Sequence, residues 1–145
     1  MLFRNCAGGV VFYANHVLLI KNEKNEWVLP KGLIRNGDLS SDVAVKRVKA
    51  ETGVEAEILS TAGETSYEFF SISRQKPVNN RIIWYIMQAK SKRVELDKTL
   101  NFKDGGFYPV VKALKMITYS QDKSLVSLSY KKYKDLKKEK SALAI

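Results

Sequence analysis

The segment from Trp27 to Val54 begins Trp27-Val28-Leu29-Pro30-Lys31-Gly32, passes Gly37-Asp38, and closes on Glu51-Thr52-Gly53-Val54. From Asp38 to Thr52 the apolar residues Leu39, Val43, Ala44 and Val48 recur at three- to five-residue intervals. That period predicts an amphipathic helix over Asp38–Thr52, which Gly53 can close in the left-handed conformation. Positions three and four apart are neighbours on a helix, so residues 47, 50 and 51 share one face. They are Arg47, Ala50 and Glu51: one acid beside one cation. Arginine and alanine are both good helix formers, and an ordinary solvated helix surface also accounts for them.

The same residues, at the same spacing, resemble the Nudix box, written G-x5-E-x7-R-E-U-x-E-E-x-G-U with U a bulky apolar residue. Gly32, Asp38, Lys46, Arg47, Val48, Ala50, Glu51, Gly53 and Val54 occupy its defined positions. Ala7-Gly8-Gly9-Val10, Leu29-Pro30-Lys31-Gly32 and Phe107-Tyr108-Pro109 extend the likeness over nearly the whole chain. The resemblance implies a Nudix fold of the α/β (α+β) class, a mixed β-sheet sandwiched between α-helices. It also implies cleavage of a diphosphate linked to a nucleoside, using Mg or Mn and a water. Carboxylates on the helix would gather the cations, which bridge phosphate oxygens and activate water. By the same resemblance Glu51 is the catalytic acid, Gly32 and Glu51 mark the metal position, and Asp38 with Lys46 forms the pair that fixes loop to helix. Lysine lacks the planar fork of arginine, so that pair is expected to be looser.

Of the three glutamates that the box places together on the helix, two are replaced here, by Arg47 and Ala50. Magnesium often uses one or two protein carboxylates beside substrate phosphates, so Glu51 could still serve it. Arg47, four residues away, can instead pair with Glu51 for ~0.2–0.5 kcal/mol and repels a dication. The expectation is a protein that recognises a nucleoside diphosphate derivative, such as a dinucleoside polyphosphate, with weak or lost metal-dependent pyrophosphohydrolase activity. Two alternatives stay open. One is an active Mg- or Mn-dependent hydrolase that recruits Glu64, Glu68, Glu95 or Asp104 from outside the box. The other is an RNA- or protein-binding module on the same scaffold. For phosphate, Lys31 offers a compact charge and Arg47 paired donors. Arg4, just before the first strand, is a third candidate. Tyr67-Glu68-Phe69-Phe70 and Arg74-Gln75-Lys76-Pro77 resemble the region that shapes base and phosphate contacts in dinucleoside polyphosphate hydrolases. Tyr67 and Phe69 alternate onto one strand face, where core packing is the plainer fate for aromatics.

Working outward, Val10–Tyr13 and Val17–Ile20 flank Ala14-Asn15-His16 and predict a hairpin. His16 is the only histidine, so a histidine dyad or histidine metal site lacks its second member. Val54–Leu59, Ser66–Ile72 and Ile82–Met87 read as strands, the last central, with turns around Gly63 and a loop over Gln75–Asn80. Pro109–Met116 and Ser120 to about Lys137 read as helices. At 145 residues without a linker or repeat, one domain over 1–145 is expected, its basic C-terminal helix and tail starting near Lys131. Cys6 is the only cysteine and reads as small core filling. Neither a membrane-length apolar run nor a signal peptide is present, so the expected compartment is the cytoplasm. The net charge of +10 favours anionic partners. Six lysines lie between Lys131 and Lys140 against Asp135 and Glu139, a segment that would suit RNA or simply stay solvated.

Overall fold

A computed structural model describes residues 1–143, so positions 144 and 145 of the expected tail lie outside the described residues. In chain order it has β1 (Leu2–Tyr13), β2 (His16–Lys21), β3 (Trp27–Val28), β4 (Lys31–Leu33), α1 (Ser40–Thr52), β5 (Ala56–Ser71), β6 (Lys76–Ala89), β7 (Asp104–Pro109), α2 (Val110–Met116) and α3 (Ser120–Leu143). The strands form one mixed sheet in the order β3-β2-β1-β6-β5, with β4 added to β1 and β7 to β2. Only β1 and β6 run parallel, in register from Leu2↔Val78 to Phe12↔Gln88.

β1 is buried without interruption from Cys6 to Phe12, because helices cover both faces of the sheet. Ala7 and Val11 join Ala44 and Val48 of α1 on one face. Cys6, Val10 and Phe12 meet Val110 and Ala113 of α2 and Val126 and Tyr133 of α3 on the other. The close approach of β4 to β1 depends on Gly8, where an added Cβ would stand 2.5 Å from both the Pro30 carbonyl oxygen and a Trp84 ring carbon. Gly53, at φ +72°, ends α1 and donates its N–H to the Lys49 carbonyl, the left-handed cap expected of it.

Several expected boundaries shift. α1 begins at Ser40, with Leu39 in the capping position and no side-chain cap, so Asp38 lies outside the helix. The strands expected over 54–59 and 66–72 are one strand, β5, with register irregularities at Ile58/Ser60 and Thr61/Gly63. Gly63 takes φ +124°, so the chain bends there without leaving the ladder. The loop expected over Gln75–Asn80 shrinks to a turn ending at Gln75, and strand pairing resumes at Lys76. Ladders on both sides of β6 outweigh the polar composition of Asn79 and Asn80. α3 runs on to Leu143, and Tyr133 within it is buried, its ring stacked on Phe12 at 4.8 Å.

β5 forms one outer edge of the sheet, and α3 reaches over to occupy it. The side-chain amide of Gln121 accepts from the Ser66 N–H at 3.3 Å and donates to the Ser66 carbonyl at 3.0 Å. Lys132 Nζ donates to the Thr61 carbonyl farther along the same strand. Among the described residues no helix is long and apolar enough to cross a membrane.

Candidate functional site

α1 lies across β4, and that crossing assembles the first group of candidates. Gly32 is buried in β4, opposite Ala7 of β1. The Arg47 side chain rests on its bare Cα, since a Cβ built there would stand 2.7 Å from Cδ and 2.8 Å from Cγ of Arg47. From that bed Arg47 Nε donates to Glu51 Oε1 at 2.8 Å. The pair is unequal: the Arg47 side chain is 44% exposed and that of Glu51 only 7%. Burial pushes the Glu51 carboxyl above the ordinary carboxylate range. The hydrogen bond and charge of Arg47, and the charge of Lys31, pull it back, while Asp97 adds to the upward push. Lys31 is half-buried in β4, and its charge also pulls downward on the Glu26 and Asp122 carboxyls.

A second group forms where three strands run side by side. Arg4, Asn80 and Tyr67 are direct register partners across β1, β6 and β5, which brings two of the expected binding residues into one row. Asn80 Nδ2 donates to the Tyr67 hydroxyl at 2.8 Å, and Asn80 Oδ1 accepts from the Cys6 thiol at 3.2 Å. Cys6 is therefore buried core filling that also anchors this row. Tyr67 is 43% and Phe69 37% exposed, with ring centroids 5.8 Å apart, so core packing is not their role. At the start of α3 the Tyr119 hydroxyl donates to Glu26, which raises the Tyr119 pKa to about 12 and lowers that of Glu26. Nearby Asp122 is pushed upward by burial.

Other candidates stand apart. Arg74 sits in the exposed turn between β5 and β6, where its backbone N–H donates to Ser71 Oγ. Asp38 closes its own loop instead of reaching α1: its Oδ2 accepts from the Arg35 N–H at 3.2 Å. The three ion pairs among the described residues join Arg47 to Glu51 and Lys49 and Lys90 to Glu55, and none joins Asp38 to Lys46. An aspartate is one methylene shorter than the glutamate of the Nudix box, and in its loop a local backbone partner is nearer. Glu64 and Glu68 are exposed along β5, and Asp104 is spent on the N–H of Gly105. Glu95 meets the end of α1 through its backbone, donating to the Thr52 carbonyl.

One acid near Glu51 is not legible in the pattern. Asp97 donates its backbone N–H to the Glu51 carbonyl at 2.9 Å, and its charge acts on both Glu51 and Arg47. It is also the cap of a short turn, where its carboxylate accepts from the Thr99 N–H and hydroxyl. The segment that carries it lacks a motif, and only its polar cap sequence Asp97-Lys98-Thr99 marks it. Among the described residues no three of histidine, cysteine, aspartate and glutamate converge, and the buried acid already holds a guanidinium.

A family model described as the NUDIX domain matches residues 2–127. The chain belongs to the Nudix family. This Nudix chain is 24% identical over 103 residues to a putative mutator protein MutT4 of Mycobacterium tuberculosis, covering 71% of this chain and 40% of that protein. It is 29% identical over 72 residues to a mouse bis(5'-nucleosyl)-tetraphosphatase (asymmetrical), covering 50% of this chain and 48% of that one. It thus spans less than half the length of these curated relatives. Among solved structures, a C. elegans Ap4A hydrolase binary complex superposes with a TM-score of 0.66 at 17% identity, over 90% of this chain and 96% of that one. An ADP-ribose pyrophosphatase from Streptococcus suis gives 0.68 at 14% identity, over 90% and 91%. These similarities establish the Nudix fold, a curled mixed sheet with helices on both faces.

Proposed function

We propose that this Nudix domain recognises a nucleoside diphosphate derivative, a dinucleoside polyphosphate among them, and that its metal-dependent pyrophosphohydrolase activity is weak or lost. One observation carries the reading: Glu51, the one left of the box's three helix glutamates, is buried and paired with Arg47. Water activation by a divalent metal needs carboxylates free to coordinate, and this one is engaged. Recognition, by contrast, keeps its parts. Lys31 and Arg47 offer phosphate donors beside α1, and Arg4, Asn80 and Tyr67 form a polar and aromatic row on the open part of the sheet. Tyr67 gives a base a face on which to stack. The likeness to the mouse tetraphosphatase and to the worm Ap4A hydrolase fold supports the dinucleoside polyphosphate choice.

A second reading, an active hydrolase that borrows an acid from outside the box, draws on Asp97 and its electrostatic reach to Glu51. RNA binding through the basic C-terminal helix has less to stand on. Lys132 donates to Thr61, Lys137 donates to Gln88, and Lys134 lies 4.8 Å over the Tyr130 ring, so these lysines already serve the fold. A thermal-shift screen of nucleotides with and without Mg and Mn tests recognition, because a ligand that binds only the folded chain raises its apparent stability. Product release in the same mixtures separates the readings: steady turnover of a dinucleoside polyphosphate with Mg or Mn selects the active hydrolase. A shift without turnover supports the proposal.

A further inference from the structure

We propose that Arg47 is this domain's built-in cation, gripping the ligand's diphosphate directly where other members would interpose a metal, so that phosphate binding requires no divalent ion. The inference rests on the recognition reading above and adds how the ligand's charge is met. Three features of the α1–β4 crossing carry it.

The first is how Glu51 holds the guanidinium. It takes only Nε, and the two terminal nitrogens of Arg47 make no hydrogen bond to a described residue. A guanidinium gripped edge-on in this way still has its four terminal N–H donors, in a fork that matches phosphate oxygens. Glu51 is 6% exposed, so the anchor is fixed, while the Arg47 side chain as a whole stays 44% exposed. The second is the bed at Gly32. Its missing side chain is filled by the Arg47 stem, with Cδ, Cγ and Nε all within 3.2 Å of where a Cβ would lie. The position that the box reserves for glycine here accommodates an arginine. The third is Lys31, the residue next to Gly32, whose charge reaches Glu51 as well. Lys31 thus adds, from the strand, to the positive charge that Arg47 brings from the helix.

Arg47 Nε holds Glu51 Oε1, so magnesium would reach this carboxylate either by displacing Nε or at the other oxygen beside the guanidinium, and in both places it meets the arginine's positive charge. A diphosphate meets no such conflict, because it approaches the free terminal nitrogens and leaves the Nε contact in place.

The test is calorimetric titration of the whole chain with inorganic pyrophosphate, in excess EDTA and then in Mg. The expected result is saturable binding in EDTA, with Mg giving no gain in affinity. In Arg47→Ala the EDTA binding should weaken at least tenfold, about 1.4 kcal/mol, while Mg now improves binding because Glu51 is released. Arg47→Lys, which keeps a charge without the fork, should recover part of the loss. Binding seen only with Mg in the unaltered protein overturns the inference and leaves nucleotide recognition standing. Pyrophosphate that fails to bind in either buffer, or binds Arg47→Ala as tightly as the parent in EDTA, also overturns it. The wild-type comparison needs no variant, so it holds even if Arg47→Ala folds poorly. A blank nucleotide screen alongside pyrophosphate binding in EDTA would instead sink the recognition reading alone.

Discussion

Restoring the acid face of α1 should convert this domain towards catalysis. Arg47→Glu with Ala50→Glu moves the local charge by three units, two at 47 and one at 50, and leaves Glu51 as the third carboxylate. Both positions are exposed and lie within the helix, where glutamate is well tolerated. The structure also sets a cost. Glu51 is 6% exposed and loses its 2.8 Å contact with Arg47, and a buried polar group left without its partner costs about 1–3 kcal/mol, more when it is charged. Like charges at 47 and 51 add a few tenths, about 0.2–0.5 kcal/mol. The double variant should therefore be less stable than the parent in EDTA and should regain stability with Mg. Metal at 100 times its dissociation constant returns about 2.7 kcal/mol, enough to offset most of that loss. Denaturant unfolding with and without Mg reads this directly. Product release from a dinucleoside polyphosphate with Mg or Mn should rise at least tenfold, about 1.4 kcal/mol of barrier. If the folded double variant binds metal yet gains no activity on any nucleoside diphosphate derivative, missing acids are not the main deficit. If the parent is already fast and the substitutions slow it, Arg47 is a working part of the active site and the reasoning fails.

Arg47→Ala should make stability more sensitive to pH in a definite direction. Burial raises the Glu51 pKa above 4.5 and Arg47 counteracts that rise, so removing Arg47 raises it further. A carboxyl whose folded pKa lies above its unfolded value loses stability as pH rises from about 4.5 through the folded pKa. Urea midpoints of parent and variant should agree near pH 4 and diverge towards neutrality; midpoints that differ equally at every pH would refute the linkage. Gly8→Ala should cost about 1–3 kcal/mol, because its Cβ meets the Pro30 carbonyl and the Trp84 ring at 2.5 Å and neither can yield cheaply; an unchanged midpoint would show that the sheet relaxes there. Tyr133→Ala should cost about 3–5 kcal/mol through loss of the ring stacked on Phe12. Deleting residues from Lys131 onward should then unfold the chain rather than trim a solvated tail, and a truncated protein with native circular dichroism and melting would contradict this.

What could be read from the sequence was what local chemistry controls. The α1 period, the Gly53 cap, the central place of Ile82–Met87 and the pairing of Arg47 with Glu51 all follow from spacing over a few residues. What could not be read depends on partners far along the chain. β5 continues through Gly63 because β6 lies opposite it, and Asn79 and Asn80 extend into a strand because β1 and β5 flank them. Asp97 approaches Glu51 only through a crossing of the backbone some 46 positions away, a relation that no motif encodes. The Asp38–Lys46 pairing was inherited from the box, and a shorter acid with a backbone N–H at hand behaved differently.

Gln121 bears on how copies of this protein coexist at high concentration. A carboxamide carries the same donor and acceptor as a peptide unit, so at Ser66 helix α3 impersonates one residue of a neighbouring strand. The rim of β5 is a 16-residue strand that carries exposed Tyr67, Phe69 and Phe70, the kind of border on which foreign chains can stack into fibrils. With both backbone groups answered at Ser66 and the carbonyl answered at Thr61, an incoming chain finds the ladder interrupted at those positions. The helix that closes the core thus also covers part of this open border.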